Sequence, residues 1–199
     1  MKLNKLNKSI IECRKCSRLV NFREKIAIEK RKQYQDEVYW GKPITGYGDQ
    51  NAKLLMVGLA PAAHGGNRTG RVFTGDKSAD FLFKCLYEAG FSNQPTSVER
   101  DDGLKLNNLY LTTALKCVPP EDKPTSTELK TCFSFFNQEI NSLKKINTIV
   151  ALGKIGYDAC INYYKQYFEI KNRDYIFTHG GQSILPDKKI LIGSYHPSP

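Results

Sequence analysis

A glycine-rich stretch at 58–76 constrains the fold of this chain more than any other segment. It follows an apolar run at 54–57, which is typical of a buried strand, and it precedes a segment at 78–89 whose apolar spacing predicts a helix. Glycines let the backbone approach a flat or anionic ligand, and the N-terminus of a following helix offers free N–H groups. Since a loop this long in a compact domain is usually functional, the stretch predicts a ligand-binding loop.

Three more runs of strand character follow in the chain. Apolar and β-branched residues recur at 109–113, 148–153 and 189–194. Between them, Thr-Ser-Thr-Glu at 125–128 has the form of a capping box that opens a helix, and a second helix is predicted from Lys154. Strands that alternate with helices indicate an α/β fold with a parallel sheet.

The same order of elements predicts where a ligand binds. In a parallel sheet, ligands lie beyond the carboxyl ends of the strands, so the loops that follow the strands should converge on one edge. These loops span 58–76, 113–121, 153–156 and 194–199.

Charge and length restrict the class of protein. With 199 residues and 40% hydrophobic residues, the chain can bury a core as a single domain. Its 30 Lys and Arg against 20 Asp and Glu give a net charge of +10, which favours a polyanionic partner such as nucleic acid. No apolar run approaches the roughly 18 residues that span a bilayer, and the N-terminus has no signal-peptide core. We therefore expect a cytoplasmic protein without a membrane partner.

Six cysteines are better interpreted, in a reducing compartment, as metal ligands or buried thiols than as disulfides. Cys13 and Cys16 form a close pair, while Cys117 follows a predicted strand and Cys132 lies in the next helix. Four thiolates suit either zinc or a 4Fe-4S cluster, and their spacing alone does not choose between them. The other two cysteines, Cys85 and Cys160, have apolar helical neighbours and are predicted to be core thiols.

The glycine-rich stretch matches neither the dinucleotide fingerprint nor a Walker loop. Its residues Gly-Leu-Ala-Pro-Ala-Ala-His-Gly at 58–65, Asn-Arg-Thr-Gly-Arg at 67–71 and Phe-Thr-Gly-Asp at 73–76 instead resemble the first motif of the type B (family 5) uracil-DNA glycosylases. The resemblance extends back to Trp-Gly-Lys-Pro at 40–43 and Gly-Tyr-Gly-Asp at 46–49. It implies a single-domain three-layer αβα sandwich around a central, mostly parallel four-stranded sheet.

The resemblance also implies a cofactor and site residues. It favours a 4Fe-4S cluster on Cys13, Cys16, Cys117 and Cys132, with the first two carried by an N-terminal part at 1–52. It implies Asp76 and His196 as catalytic residues, with His196 stabilising the departing base. The substrate-binding residues that it implies, with Phe73 stacking on a flipped-out base, are Gly58, Ala60, Pro61, Ala62, His64, Asn67, Arg68, Phe73, Thr113 and Ser198. From its position alone, Asp76 is also a candidate N-cap of the following helix.

The chain departs from the family pattern at three places. Ala62 and Ala63 stand where other glycosylase families place a polar residue that positions water. Thr113 stands where close relatives have an asparagine that reads uracil, so the preference among deaminated bases stays open. Family members continue past the His-Pro-Ser motif into a loop that enters the DNA, so we expect either a truncated sequence or a protein without this wedge.

These observations lead to one main functional hypothesis and two alternatives. The main hypothesis is a monomeric, monofunctional DNA repair glycosylase that flips uracil, or another deaminated base, out of DNA and hydrolyses its N-glycosidic bond to leave an abasic site. The first alternative is a non-catalytic iron-sulfur protein that binds nucleic acid. The second is a zinc-stabilised enzyme that uses the glycine loop for a small molecule.

Overall fold

A computed structural model describes residues 2–197. They form six α-helices, six β-strands and three short 3-10 turns. The helices are α1 (Lys2–Ile11), α2 (Ser17–Glu29), α3 (Gly66–Thr69), α4 (Lys77–Glu88), α5 (Ser126–Ser142) and α6 (Lys154–Tyr164). The strands are β1 (Tyr47–Gly48), β2 (Leu54–Gly58), β3 (Leu109–Thr113), β4 (Thr148–Leu152), β5 (Gln182–Ile184) and β6 (Ile190–Ser194). None of the described helices combines the length and the apolar character that crossing a membrane requires.

The strands form one mixed sheet in the order β1-β3-β2-β4-β6-β5. The central strands β3, β2, β4 and β6 are parallel, as predicted, and β1 and β5 pair antiparallel at the two edges. The expected number of four strands is therefore corrected to six within the described residues. The two edge strands have only two and three residues and lack a continuous apolar run, so their sequences carry little strand signal.

Helices cover both faces of the sheet, which confirms the predicted α/β class. One core cluster joins α1, α5 and α6 to the sheet, and α4 packs in a second cluster on the other face. Residues such as Leu55, Val57, Leu109 and Leu191 have almost no exposed surface, because central parallel strands are buried on both faces. This burial explains why these strands appear in the sequence as apolar runs.

Local signals set the helix starts. At α5, the Thr125 hydroxyl accepts from the Glu128 N–H at 3.2 Å, and the Glu128 carboxylate accepts from the Thr125 N–H at 2.8 Å, which confirms the predicted capping box. The buried side of α4 consists of Ala79, Leu82, Phe83 and Leu86.

The two cysteines that were predicted to be core thiols differ in burial. Cys160 is fully buried in α6, as predicted. The prediction for Cys85 was wrong, because this residue is exposed on α4, outside the buried side that Leu82 and Leu86 form.

Candidate active site

The end of β2 places an aromatic ring at the carboxyl edge of the sheet. Gly58 is the last residue of β2, and a Cβ atom there would lie 2.6 Å from Cζ of Phe73. Phe73 has a positive φ of 47°, a conformation that is strained for a residue with a side chain. It is largely buried in the cluster around α4. The loop thus fixes the Phe73 ring directly over a glycine that cannot be replaced without moving it.

Asp76 caps α4 and also faces the loop. Its Oδ1 accepts from the Ala79 N–H at 2.9 Å, so the N-cap interpretation is confirmed. Its Oδ2 lies where a Cβ atom on Gly65 would be only 1.9 Å away. Partial burial raises the pKa of Asp76, while the Ala79 and Ser78 N–H groups and the charge of His196 oppose the rise.

His196 follows β6 and is exposed. The protein nevertheless covers part of the ring, and this partial desolvation lowers the pKa of His196 below its ordinary value, while the carboxylates of Asp76 and Asp122 act in the opposite direction. The parallel strands β2 and β6 both end at this edge of the sheet, so the structure brings the two predicted catalytic residues to the same edge, where the charge of each affects the pKa of the other.

The turn that carries His196 is held by a residue that the sequence did not single out. The His179 ring stacks on Tyr195 with centroids 4.6 Å apart and planes 6° from parallel, and His179 Nδ1 accepts from the Tyr195 N–H at 3.1 Å. The chain has three histidines, and His179 is the one outside the two motifs. The position of His179 next to the His196 turn depends on the pairing of β5 with β6, so no local sequence pattern predicts it.

Three polar residues of the first motif bond mainly to the protein itself. The half-buried His64 pairs through Nδ1 with the Tyr39 hydroxyl at 2.9 Å, and burial together with nearby arginines lowers its pKa. The buried Asn67 donates from Nδ2 to the Arg23 carbonyl at 3.2 Å. The structure therefore gives His64 and Asn67 a loop-holding role, and their contact with substrate stays a prediction.

Arg68 is the most extensively bonded of these residues. Its guanidinium donates to the His64 carbonyl at 2.7 Å, the Gly75 carbonyl at 2.9 Å and the Glu37 carboxylate at 2.5 Å. It also lies over the Tyr34 ring, 4.0 Å from the centroid. With the side chain buried in this way, Arg68 shapes the loop from behind, and a contact of Arg68 with DNA stays a prediction.

The remaining predicted substrate residues line the strand ends. Ala60 and Ala62 are half-buried, and Pro61 is buried against Gly66, where a Cβ atom would lie 2.9 Å from its ring. Thr113 is buried and donates its hydroxyl to the Leu115 carbonyl at 2.9 Å. Ser198 lies outside the described residues.

The four predicted ligand cysteines converge on one small cavity beside α2. Besides the four cysteines, mostly apolar residues, two lysines and one threonine line it. The full lining is Cys13, Lys15, Cys16, Leu19, Val20, Pro43, Leu115, Lys116, Cys117, Thr131, Cys132 and Phe135. Burial raises the pKa of Cys117 to about 12 and that of Cys132 to about 11.

Two hydrogen bonds reach the cysteine sulfurs. The Lys116 N–H donates to Cys132 Sγ at 3.3 Å, and Arg23 Nη1 donates to Cys117 Sγ at 3.6 Å. Within residues 2–197, no three His, Cys, Asp or Glu side chains are grouped as the ligands of a single metal ion.

Comparison of the sequence with known proteins shows which family it matches. Residues 45–199 match the family model of the uracil DNA glycosylase superfamily. The chain is 43% identical over 190 residues to a type-5 uracil-DNA glycosylase of Thermus thermophilus, covering 96% of this chain and 84% of that protein. It is 43% identical over 194 residues to the type-5 enzyme of Mycobacterium tuberculosis (97% and 71%), and 40% identical over 190 residues to that of Pyrobaculum aerophilum (96% and 80%).

Proposed function

This chain belongs to the uracil DNA glycosylase superfamily, and from that premise we propose that it is a monofunctional DNA glycosylase that excises uracil and leaves an abasic site. The observation that carries the proposal is that the loop after β2 sets Phe73 over Gly58 and carries Asp76, while His196 follows β6 at the same carboxyl edge, where its charge and that of Asp76 act on each other. An aromatic platform, a carboxylate and an imidazole at one site are the groups that this reaction needs.

Breaking an N-glycosidic bond develops positive charge on the sugar and negative charge on the departing base. His196 serves the base. Its lowered pKa keeps the imidazole neutral at pH 7, so it can donate a hydrogen bond to the base as negative charge accumulates there.

Asp76 serves the sugar. It is the carboxylate of the first motif, and Ala62 and Ala63 offer no polar side chain in its place. Two backbone N–H groups and the α4 N-terminus favour its ionised form against the burial that raises its pKa, and an anion beside the sugar stabilises the cationic transition state more than the ground state.

Phe73 receives the base that has been flipped out of the duplex. Stacking of a base on an aromatic side chain contributes about 1–3 kcal/mol and tolerates different bases. Because Gly58 and the core around α4 already fix the ring, it loses little conformational freedom when a base binds. Thr113 bonds to its own loop, so its side chain is not preset to read the base edge, and other deaminated bases are competing substrates.

We further propose a 4Fe-4S cluster held by Cys13, Cys16, Cys117 and Cys132. The fit rests on two features: all four side chains line one cavity, and two N–H donors point at their sulfurs. A cluster bound there would cross-link the turn before α2, the segment after β3 and α5.

The remaining parts of the proposal concern partners. The net charge of +10 favours DNA as a polyanionic substrate, and Lys77 and Arg31 place exposed cations near Asp76 and His64. We propose that the protein acts as a monomer, inside the cell, on DNA that contains uracil.

The decisive experiment incubates purified protein with a duplex that holds one uracil and then treats it with alkali. We expect strand breaks at uracil and none in a matched duplex that holds thymine. Parallel duplexes with hypoxanthine or xanthine determine the base preference. Tight binding without breaks would instead identify a non-catalytic DNA-binding protein.

A further inference from the structure

Arg23 is a buried cation whose described partners do not account for its charge. Only 2% of the residue is exposed, and its Nε has no hydrogen-bond partner among the described residues. Nη1 donates to Cys117 Sγ at 3.6 Å, and Nη2 donates to the Cys13 carbonyl at 3.3 Å. A carboxylate oxygen of Glu24 lies 3.9 Å from Nη2, but Glu24 already forms a two-point pair with the exposed Arg14.

A buried guanidinium is costly unless an anion compensates it. One carbonyl and one neutral sulfur are weak partners for a full charge. Two of the partners that Arg23 does have belong to predicted cluster ligands, Cys13 and Cys117. The anion that suits this position is therefore the group of thiolates itself, which is net negative when it holds an iron-sulfur cluster.

We propose that Arg23 is a cluster-binding residue, which compensates the negative charge of the cluster and donates to the sulfur of Cys117. The inference rests on the proposed cofactor and adds to it a residue outside the cysteine set. Charge and hydrogen bonds near ligand sulfurs set the reduction potential and the stability of such clusters. Arg23 thus raises the reduction potential and slows the loss of iron.

The main chain of Arg23 extends this role to the substrate loop. Its carbonyl accepts from Nδ2 of the buried Asn67 at 3.2 Å. One residue therefore contacts the cysteines with its side chain and the first motif with its backbone.

The test compares anaerobically reconstituted wild type with Arg23→Gln, Arg23→Lys and Arg14→Gln. Arg14→Gln is the matched control, because it removes the same charge from an exposed arginine next to Cys13. The readouts are iron content, the midpoint potential of the cluster, and the rate of iron transfer to a chelator. Circular dichroism verifies that each variant is folded.

We expect Arg23→Gln to shift the potential to more negative values and to release iron on the order of 10-fold faster, as for loss of an outer-shell partner. Arg23→Lys keeps the charge and should fall between Arg23→Gln and wild type, while Arg14→Gln matches wild type. If Arg23→Gln does not fold, the Arg23→Lys rates decide. If the folded Arg23 variants keep the wild-type potential and iron-release rate, the role of Arg23 is overturned, while the proposed cluster still stands. Wild type that binds no iron overturns the cofactor and this inference, whereas uracil cleavage tests the glycosylase separately.

Discussion

Asp76 shows how one carboxylate can serve the fold and the chemistry at once. One oxygen holds the first turn of α4, and the other occupies the space that Gly65 leaves by having no side chain. The sequence motif identified Asp76 as a candidate, because position and residue type suffice for that. The arrangement of Arg68, His179 and Arg23 was not predicted, since their roles depend on partners that are distant in the chain.

Replacement of Asp76 by asparagine separates its two roles. Asparagine caps a helix about as well as aspartate, so stability should hardly change. Excision should slow on the order of 10²-fold, because the charge that stabilises the cationic sugar is gone. Single-turnover rates on a uracil duplex measure the effect. The control is Asp80→Asn in the first turn of α4, and full activity of Asp76→Asn would show that Asp76 is only a helix cap.

The lowered pKa of His196 leads to a prediction about how activity depends on pH. Replacement by alanine should slow excision on the order of 10²- to 10³-fold, as for loss of one preorganised donor. Since the pKa of His196 is lowered, its neutral form persists as the pH falls past about 6.5, the ordinary histidine value. Wild-type activity should therefore survive through pH 6.5 and fall only in more acidic solution.

The control for this pH profile is His196→Asn. In this variant, any loss of activity that remains at low pH is expected to come from Asp76, which must stay ionised. Burial raises the pKa of Asp76. A wild-type rate that increases as the pH falls through 6.5 would mean that the protonated imidazole is the active form.

At the scale of elements, burial decides what the sequence reveals. The strands β2, β3, β4 and β6 were predictable because both of their faces are covered, whereas β1 and β5 are short edge strands. The helix α1 was not predicted, although Leu3, Leu6 and Ile10 have the spacing of one buried helical face. Its tie to the rest of the domain comes from packing on α5, which a local pattern does not show.

The cysteine cavity joins elements that are distant in the chain, so loss of one ligand should loosen all of them. We expect Cys117→Ser to lose the broad absorption at roughly 400 nm that is typical of thiolate-bound iron. Its Tm should fall on the order of 10 °C, the shift that a loss of about 3 kcal/mol produces in a domain of this size.

Cys85→Ser is the matched control, because Cys85 is exposed on α4 and away from the cavity. It should keep both the colour and the Tm of wild type. Stoichiometric zinc without iron in anaerobically prepared protein would contradict the proposed cluster.

At the scale of the whole molecule, the positive charge governs encounter with DNA. A protein that neutralises about three phosphates loses affinity on the order of 10- to 100-fold between about 50 and 200 mM salt. Lys77→Gln at the carboxyl edge should reduce this salt dependence. Lys144→Gln, just before β4 at the opposite edge, should not. Fluorescence anisotropy measures both, and an affinity that is independent of salt would rule out binding through phosphates.

The order of the strands determines when the active site can assemble during synthesis of the chain. Asp76 follows β2, whereas His196 follows β6, and β4 lies between these two strands in the sheet. Synthesis proceeds from the N-terminus, so a nascent chain that lacks β6 already displays its glycine loop but has no imidazole to set beside it. Such long-range pairing also forms late in folding. The protein can therefore excise uracil only after β6 has joined the sheet. When denatured protein is refolded by dilution, uracil cleavage should recover later than the helical circular dichroism signal.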